Sequence, residues 1–113
     1  MTDSDKKSQG RRTIADAFMK DAQREATPWR SRADFAFEAV YLYALAALGD
    51  LADGYEHPDA RVLTAAAEEL ELTADQIGPA LEYLEHRYDP AKPDNGSAYR
   101  VLISIAKILG AEG

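Results

Sequence analysis

The sequence predicts an all-α fold, an antiparallel four- to five-helix bundle around a central apolar helix. The stretch 35–48 (FAFEAVYLYALAAL) has one charged residue, Glu38, in fourteen. A helix that is apolar on every face must be enclosed by other helices or by a subunit interface. At this length it is too short to cross a bilayer, which needs about 20 apolar residues. The flanking segments carry apolar residues at helical spacing, and none alternates like a strand of useful length.

The first helix is predicted from Thr13 to about Glu25, ending before Thr27 and Pro28 because the residue preceding a proline avoids helical backbone angles. Residues 1–12 are charged and lack an apolar anchor, which predicts a disordered N-terminal tail ahead of a single helical domain, 13–113. Trp29 falls in the following connector. We consider two roles for it, a lid packed on the end of the bundle and an exposed anchor for a partner.

The second helix is predicted from about Arg32 to Ala52, with Ser31 as its N-cap and Gly54 as its end. It contains the apolar stretch, which makes it the central or the interface helix. The third is predicted from about Asp59 to Leu70. Its inward stripe repeats at helical spacing and consists of Leu63, Ala66, Ala67 and Leu70.

The fourth helix is predicted to begin at a capping box, Thr73 to Gln76. Gly78 and Pro79 predict either a broken first turn or a kink. Its inward stripe is Ile77, Leu81, Leu84 and Tyr88.

The fifth helix is predicted from about Ala98 to Leu109, with Ser97 as its cap and Gly110 as its stop. Ile103 and Ile108 widen its apolar surface beyond one stripe, which suggests contact on two sides. The inward stripe is Val101, Leu102, Ile105 and Leu109.

The net charge of −7 is unevenly distributed. Residues 50–89 hold eleven acidic residues against Arg61 and Arg87, a net −9, whereas residues 1–32 carry a net +3. An acidic surface repels phosphates, so nucleic-acid binding through the middle of the chain is disfavoured. Two interpretations remain: a solvated surface that confers solubility, or a docking surface for a protein partner with a basic surface. The basic N-terminal segment is a lesser candidate for contact with an acidic neighbour or RNA.

The residue types also limit the possible chemistry. There is no cysteine, which excludes disulfides, thiolate metal sites and thiol catalysis. The polar N-terminus is unlike a secretory signal, so we expect a cytoplasmic protein without membrane association. No nucleophile set or phosphate-binding glycine loop is present. Glu82 and His86 share a helical face without a credible third ligand. No cofactor, metal or catalytic residue is predicted.

Glu38 is the exception in the apolar helix, because a buried carboxylate is unfavourable unless it is paired. It lies at the wetter end of the helix, pairs with one of the arginines 30, 32, 87 and 100, or serves as a polar determinant in a pocket or dimer seam. Helices two and five are the predicted interface. Its candidate residues are Glu38, Tyr41, Leu42, Leu45, Ile103 and Ile108.

The run 34–70 (DFAFEAVYLYALAALGDLADGYEHPDARVLTAAAEEL) resembles helix two, the loop and helix three of HEPN-type helical bundles. Residues 81–90 (LEYLEHRYDP) occupy the position of that family's following arginine-rich helix. The resemblance implies a bundle that is often dimeric and is associated with RNA cleavage, nucleotidyltransferase partners, toxin–antitoxin systems or phage conflict. The family's ribonucleases have an arginine four to six residues before a histidine. Neither His57 nor His86 has one, which implies a non-catalytic member.

These observations predict a small acidic interaction protein, non-catalytic and homodimeric, that binds or regulates another protein of toxin–antitoxin, phage-conflict or nucleotidyltransferase-partner type. The alternative is a HEPN-like ribonuclease or nucleotide-binding domain. In that case His86, Arg87 and Tyr88 are the residues to test.

Overall fold

The fold is all-α in the computed structural model, which describes residues 3–52, 54–55, 59–86 and 95–112. A 3₁₀ turn, Gly49–Ala52, follows the second helix. No strand occurs within these ranges, and the predicted helical bundle is confirmed. The five α-helices are α1 (Asp3–Ala22), α2 (Trp29–Leu48), α3 (Ala60–Glu69), α4 (Ala74–His86) and α5 (Asn95–Glu112).

The central element is α2, which packs mainly against α1 and α5 and also contacts α3 and α4. Phe37 and Val40 on this helix are at most 1% exposed. The helical stretch Trp29–Ala52 is longer than the apolar segment seen in the sequence. By length and composition it could cross a membrane, so the argument from length fails. However, 56% of its most apolar window is buried inside the protein, the pattern of a core helix.

Contacts near both ends of α2 show that α1 and α2 are antiparallel. At the middle of α1, the Arg11 Nη1 atom donates to the Leu45 carbonyl near the end of α2 at 3.4 Å. At the other end, the Arg32 Nε atom of α2 donates to the Ala22 carbonyl at 2.7 Å. The predicted antiparallel arrangement therefore describes this pair.

The last helix, α5, runs in the same direction as α2. Tyr99, near its start, contacts Arg32 near the start of α2, and Gly110, near its end, lies against Tyr43. Two neighbours of opposite direction thus cover α2.

The predicted disordered tail is corrected by the structure, because α1 begins at Asp3 and residues 3–12 are helical. Two arginines attach this segment to the bundle. Arg11 reaches the end of α2, and the Arg12 Nη2 atom donates to the Gly110 carbonyl of α5 at 2.6 Å. The negative end of the helix dipole favours cations such as these near helix C-termini. The helix ends at Ala22, earlier than predicted.

The ends of α2 also differ from prediction. The helix begins at Trp29, directly after Pro28, and no side chain caps it, so Ser31 lies inside the first turn. Gly49, with φ of 57°, ends it and donates its N–H to the Leu45 carbonyl. The left-handed conformation suits glycine, which has no Cβ. Gly54 is therefore not the stop.

The predicted capping box of α4 is confirmed, and Asp59, predicted as the first residue of α3, is instead its N-cap. The Asp59 side chain accepts from the Arg61 N–H at 2.8 Å. In the capping box, the Gln76 N–H donates to Thr73 Oγ1 at 3.1 Å, and the Thr73 N–H donates to Gln76 Oε1 at 2.7 Å. Pro79 lies inside an uninterrupted α4, so the broken first turn is not observed.

The fifth helix is longer than predicted and rotated relative to its predicted face. It begins at Asn95, so Ser97 is not its cap, and it continues past Gly110. Val101 is 41% exposed, contrary to the predicted inward stripe. The buried side chains are Leu102, Ile103, Ile105, Ala106 and Leu109.

Candidate interaction surface

Several polar side chains of the core helices form hydrogen bonds inside the bundle. Three tyrosines of the core each connect two elements through the phenol oxygen. The Tyr43 hydroxyl donates to Asp16 Oδ1, the Tyr83 hydroxyl donates to Asp34 Oδ1, and the Tyr41 hydroxyl accepts from the Asp59 N–H at 2.8 Å. These groups join α1, α3 and α4 to α2.

Burial and, second to it, the hydrogen bond and charge of Asp16 together raise the pKa of the Tyr43 hydroxyl to about 12. The pKa of Tyr41 is also raised, mainly by burial, with the charges of Asp59 and Glu38 adding to the effect. Both phenols are therefore neutral at physiological pH. They serve as structural hydrogen-bonding groups rather than as bases.

Arg32 joins three helices at one end of the bundle. It is 9% exposed, and its guanidinium carbon lies 4.4 Å from the ring centroids of both Trp29 and Tyr99. Its Nε donates to the Ala22 carbonyl and its Nη2 to the Tyr99 hydroxyl at 3.2 Å. Trp29 remains 46% exposed, so it both covers this arginine and contributes to the surface.

The predicted interface residues do not form one open surface. Tyr41, Leu45 and Ile103 are between 5% and 8% exposed, covered by the chain's own helices. Leu42, Ile108 and Glu38 are half-buried. A homodimer through α2 and α5 stays a prediction, and in this conformation the half-buried residues would have to supply the contact.

The residues of the ribonuclease alternative are placed only in part. His86 ends α4, its side chain is 48% exposed, and its Nε2 lies 3.7 Å from Glu85 Oε2. Arg87 and Tyr88 lie outside the described residues. Within the described ranges, no three His, Asp or Glu side chains are grouped to hold a metal ion.

A groove lies between α3 and α4. The turn that forms it is a Schellman motif: the Leu72 N–H donates to the Ala67 carbonyl at 2.8 Å and the Glu71 N–H to the Glu68 carbonyl at 3.2 Å. Glu71 adopts the left-handed conformation with φ of 57°. The groove has a volume of about 240 Å³. Its lining is mostly apolar and comprises Thr64, Ala67, Glu68, Leu72, Ala74, Ile77 and Leu81.

One exposed carboxylate, Glu68, lines this groove, and others lie in the same two helices and the turn between them. Residues 59–86 contain seven acidic residues and one arginine, a net −6 with histidine neutral. Arg61 is paired with Asp59 at 2.8 Å. Five exposed acids have no hydrogen bond or ion pair to their carboxylates within the described part of the chain, and these are Glu68, Glu69, Glu71, Asp75 and Glu82. We call these five the acidic rim.

Sequence reasoning identified the negative charge of this region and missed the groove. The signal was present, because the capping box at Thr73 and the apolar stripes of both helices place Ala67 and Ala74 near one tight turn. Small side chains near such a turn leave space between the two helices. What the stripes could not show is that Leu72 and Leu81 remain half-buried rather than fully covered.

Comparison of the chain with protein-family models, curated proteins and solved structures finds no match. The resemblance to HEPN domains therefore rests on the sequence pattern alone.

Proposed function

We propose that this chain is a non-catalytic, homodimeric interaction protein that binds a partner with a basic surface through α3 and α4. One observation carries the proposal. The five carboxylates of the acidic rim are exposed and have no ion pair in the described part of the chain, whereas the carboxylates of Asp16 and Asp34 accept hydrogen bonds from tyrosines on other helices. Like charges concentrated on one surface repel each other, and a cationic partner relieves that repulsion.

Electrostatic complementarity of this kind mainly raises the association rate and selects the partner. In this proposal, the half-buried residues of α2 and α5 form the contact between the two copies of the homodimer. The HEPN resemblance suggests a partner class, a nucleotidyltransferase or a toxin–antitoxin component. A gene for a protein of either class next to the gene for this chain would support that assignment.

The test compares two double variants in affinity capture from cells that produce the protein. Glu68→Gln with Glu82→Gln neutralises the acidic rim, and Glu25→Gln with Asp50→Asn removes the same charge from exposed positions elsewhere. We expect the wild-type protein and the control to capture the same basic protein. The rim variant should lose most of it, and added salt should weaken capture by the wild type.

Two further measurements can contradict the proposal. Light scattering should give the mass of a dimer, and a strict monomer at high concentration would remove the homodimer from it. Incubation with RNA should leave the RNA intact. RNA cleavage that disappears in His86→Ala would replace the interaction protein with the ribonuclease alternative.

A further inference from the structure

We infer that the groove between α3 and α4 binds an aliphatic side chain from a basic amphipathic helix of the partner protein. This inference rests on the proposed function and specifies how the partner is recognised. Electrostatic attraction alone does not distinguish one basic protein from another. Recognition of a specific partner therefore needs a second, shape-dependent contact. The groove supplies an apolar surface at the point where the unpaired carboxylates are concentrated.

The size of the groove favours one inserted side chain over a small-molecule ligand. Its volume of about 240 Å³ is below the range of roughly 300–1,000 Å³ typical of ligand pockets. It is also partly open to solvent, and its polar lining residues, Thr64 and Glu68, are exposed rather than buried where they could orient a ligand. An aliphatic group presented by a helix fits such a cleft, as in other helix-in-groove complexes.

The apolar lining and the charged rim alternate along the chain. Glu71 precedes Leu72, Asp75 follows Ala74, and Glu82 follows Leu81. Four of the five apolar lining residues, Ala67, Leu72, Ala74 and Leu81, therefore have a carboxylate beside them in the sequence, and Ile77 does not. An amphipathic helix with leucine on one face and lysine or arginine flanking that face matches this pattern.

Three features indicate that the groove is stable without a partner. Ile77 at its base is 3% exposed and belongs to the core. The Schellman turn fixes Ala67 and Leu72 relative to each other, and the capping box fixes the start of α4. A preformed groove loses little conformational entropy on binding.

Two synthetic peptides test this inference by fluorescence anisotropy. Both are 18-residue amphipathic helices with the same lysines. One carries leucine along its apolar face and the other carries glutamine at the same positions. We expect the wild-type protein to bind the leucine peptide at least about tenfold more tightly, since burial of one leucine supplies that factor or more.

Variants locate the contact. Ala74→Phe fills the groove and Leu81→Gln removes part of its apolar wall, so both should reduce the preference for the leucine peptide to about twofold or less. Ala60→Phe is the matched control. Ala60 and Ala74 are both exposed and each is the first residue of its helix, but Ala60 does not line the groove. That control should keep the wild-type preference. Circular dichroism and Trp29 emission verify that each variant is folded.

Each result decides between the two proposals. Equal, salt-sensitive binding of both peptides would refute the groove and leave the acidic docking surface intact. No binding of either peptide would contradict both. A preference for the leucine peptide that survives Ala74→Phe and Leu81→Gln would place the contact elsewhere. Self-association that disappears in Ala74→Phe would assign the groove to a second copy of this chain and overturn the inference.

Discussion

Gly110 of α5 lies directly against the ring of Tyr43 of α2. An ideal Cβ built at Gly110 would lie 3.2 Å from Tyr43 Cζ, closer than an ordinary van der Waals contact. The ring cannot move away freely, because its hydroxyl is bonded to Asp16 and the Arg12 guanidinium lies 5.7 Å from the ring centroid on α1. This glycine is therefore required for close packing of three helices.

Gly110→Ala should lower the free energy of unfolding by about 1 kcal/mol, because the steric conflict outweighs the better helix propensity of alanine. Gly10→Ala is the control. Gly10 is an exposed helical position with nothing within 4 Å of its added Cβ, so this change should stabilise the protein by about 1 kcal/mol. Urea denaturation measures both. Stabilisation by both substitutions would show that the Tyr43 ring yields.

Tyr43→Phe should lower the free energy of unfolding by about 1 kcal/mol near neutral pH, the usual effect of losing one hydrogen bond. The native pKa of about 12 exceeds the ordinary value of 10.0. The stabilisation linked to the neutral phenol is therefore complete below pH 10 and is lost as the pH rises towards 12. The stability difference between wild type and Tyr43→Phe should shrink over that range. A constant difference would contradict the raised pKa.

Removing Arg11 and Arg12 together, as alanines, should loosen the first half of α1. The measurement is amide hydrogen exchange of residues 3–12. Protection there should fall at least about fivefold, since each arginine bonds a carbonyl at the end of another helix. Lys6→Ala is the control, because Lys6 is exposed and makes no such bond in the described chain. Full exchange in the wild type would restore the disordered tail predicted from the sequence.

Arg32→Lys should lower the free energy of unfolding by about 1–2 kcal/mol, although it keeps the charge. An ammonium group cannot bond the Ala22 carbonyl and the Tyr99 hydroxyl while also lying against the rings of Trp29 and Tyr99, as the planar guanidinium does. Trp29 is the single tryptophan, so its emission should shift to longer wavelength as its ring becomes more exposed. Arg30→Lys, at an exposed position on the same helix, should change the stability by less than about 0.5 kcal/mol. Equal effects of both changes would argue against the stacked arrangement.

Glu71→Gly should raise the free energy of unfolding by about 1 kcal/mol, because glycine adopts the left-handed conformation at the end of α3 without strain. The same replacement two residues earlier, Glu69→Gly, falls inside the helix and should destabilise by about 1 kcal/mol. Thermal denaturation of both variants at one pH separates the two effects. Destabilisation by Glu71→Gly would show that its side chain contributes more than its backbone strain costs.

The sequence pattern was sufficient where structure is local. Helical periodicity identified α3 and α4, and the capping box at Thr73 forms as predicted. The pattern did not predict the starts of α1 and α5 or either end of α2. Ser31 and Ser97, predicted as N-caps, lie inside their helices, and Gly54 does not end α2. In α1, long-range bonds from Arg11 and Arg12 sustain residues with no apolar stripe.

The same limit applies to the polar contacts. Tyr43 and Asp16 are 27 residues apart in sequence, and Tyr83 and Asp34 are 49 apart. No periodicity relates such pairs, so the sequence identified six tyrosines without assigning partners to them. For the candidate surface, composition predicted the negative charge of α3 and α4. The groove depends on how far apart two helices lie, which the side-chain volumes of many other residues determine.

Arginines 11, 12 and 32 together affect how much positive charge the protein presents to other molecules. Each directs its guanidinium inward, onto the carboxyl end of a neighbouring helix. Three of the eight basic residues in positions 1–32 therefore lie against the negative ends of helix dipoles, which offset part of their charge. A polyelectrolyte that approaches from solution meets fewer accessible cations than the amino-acid count indicates, and anion-exchange retention should exceed that of a protein whose arginines point outward.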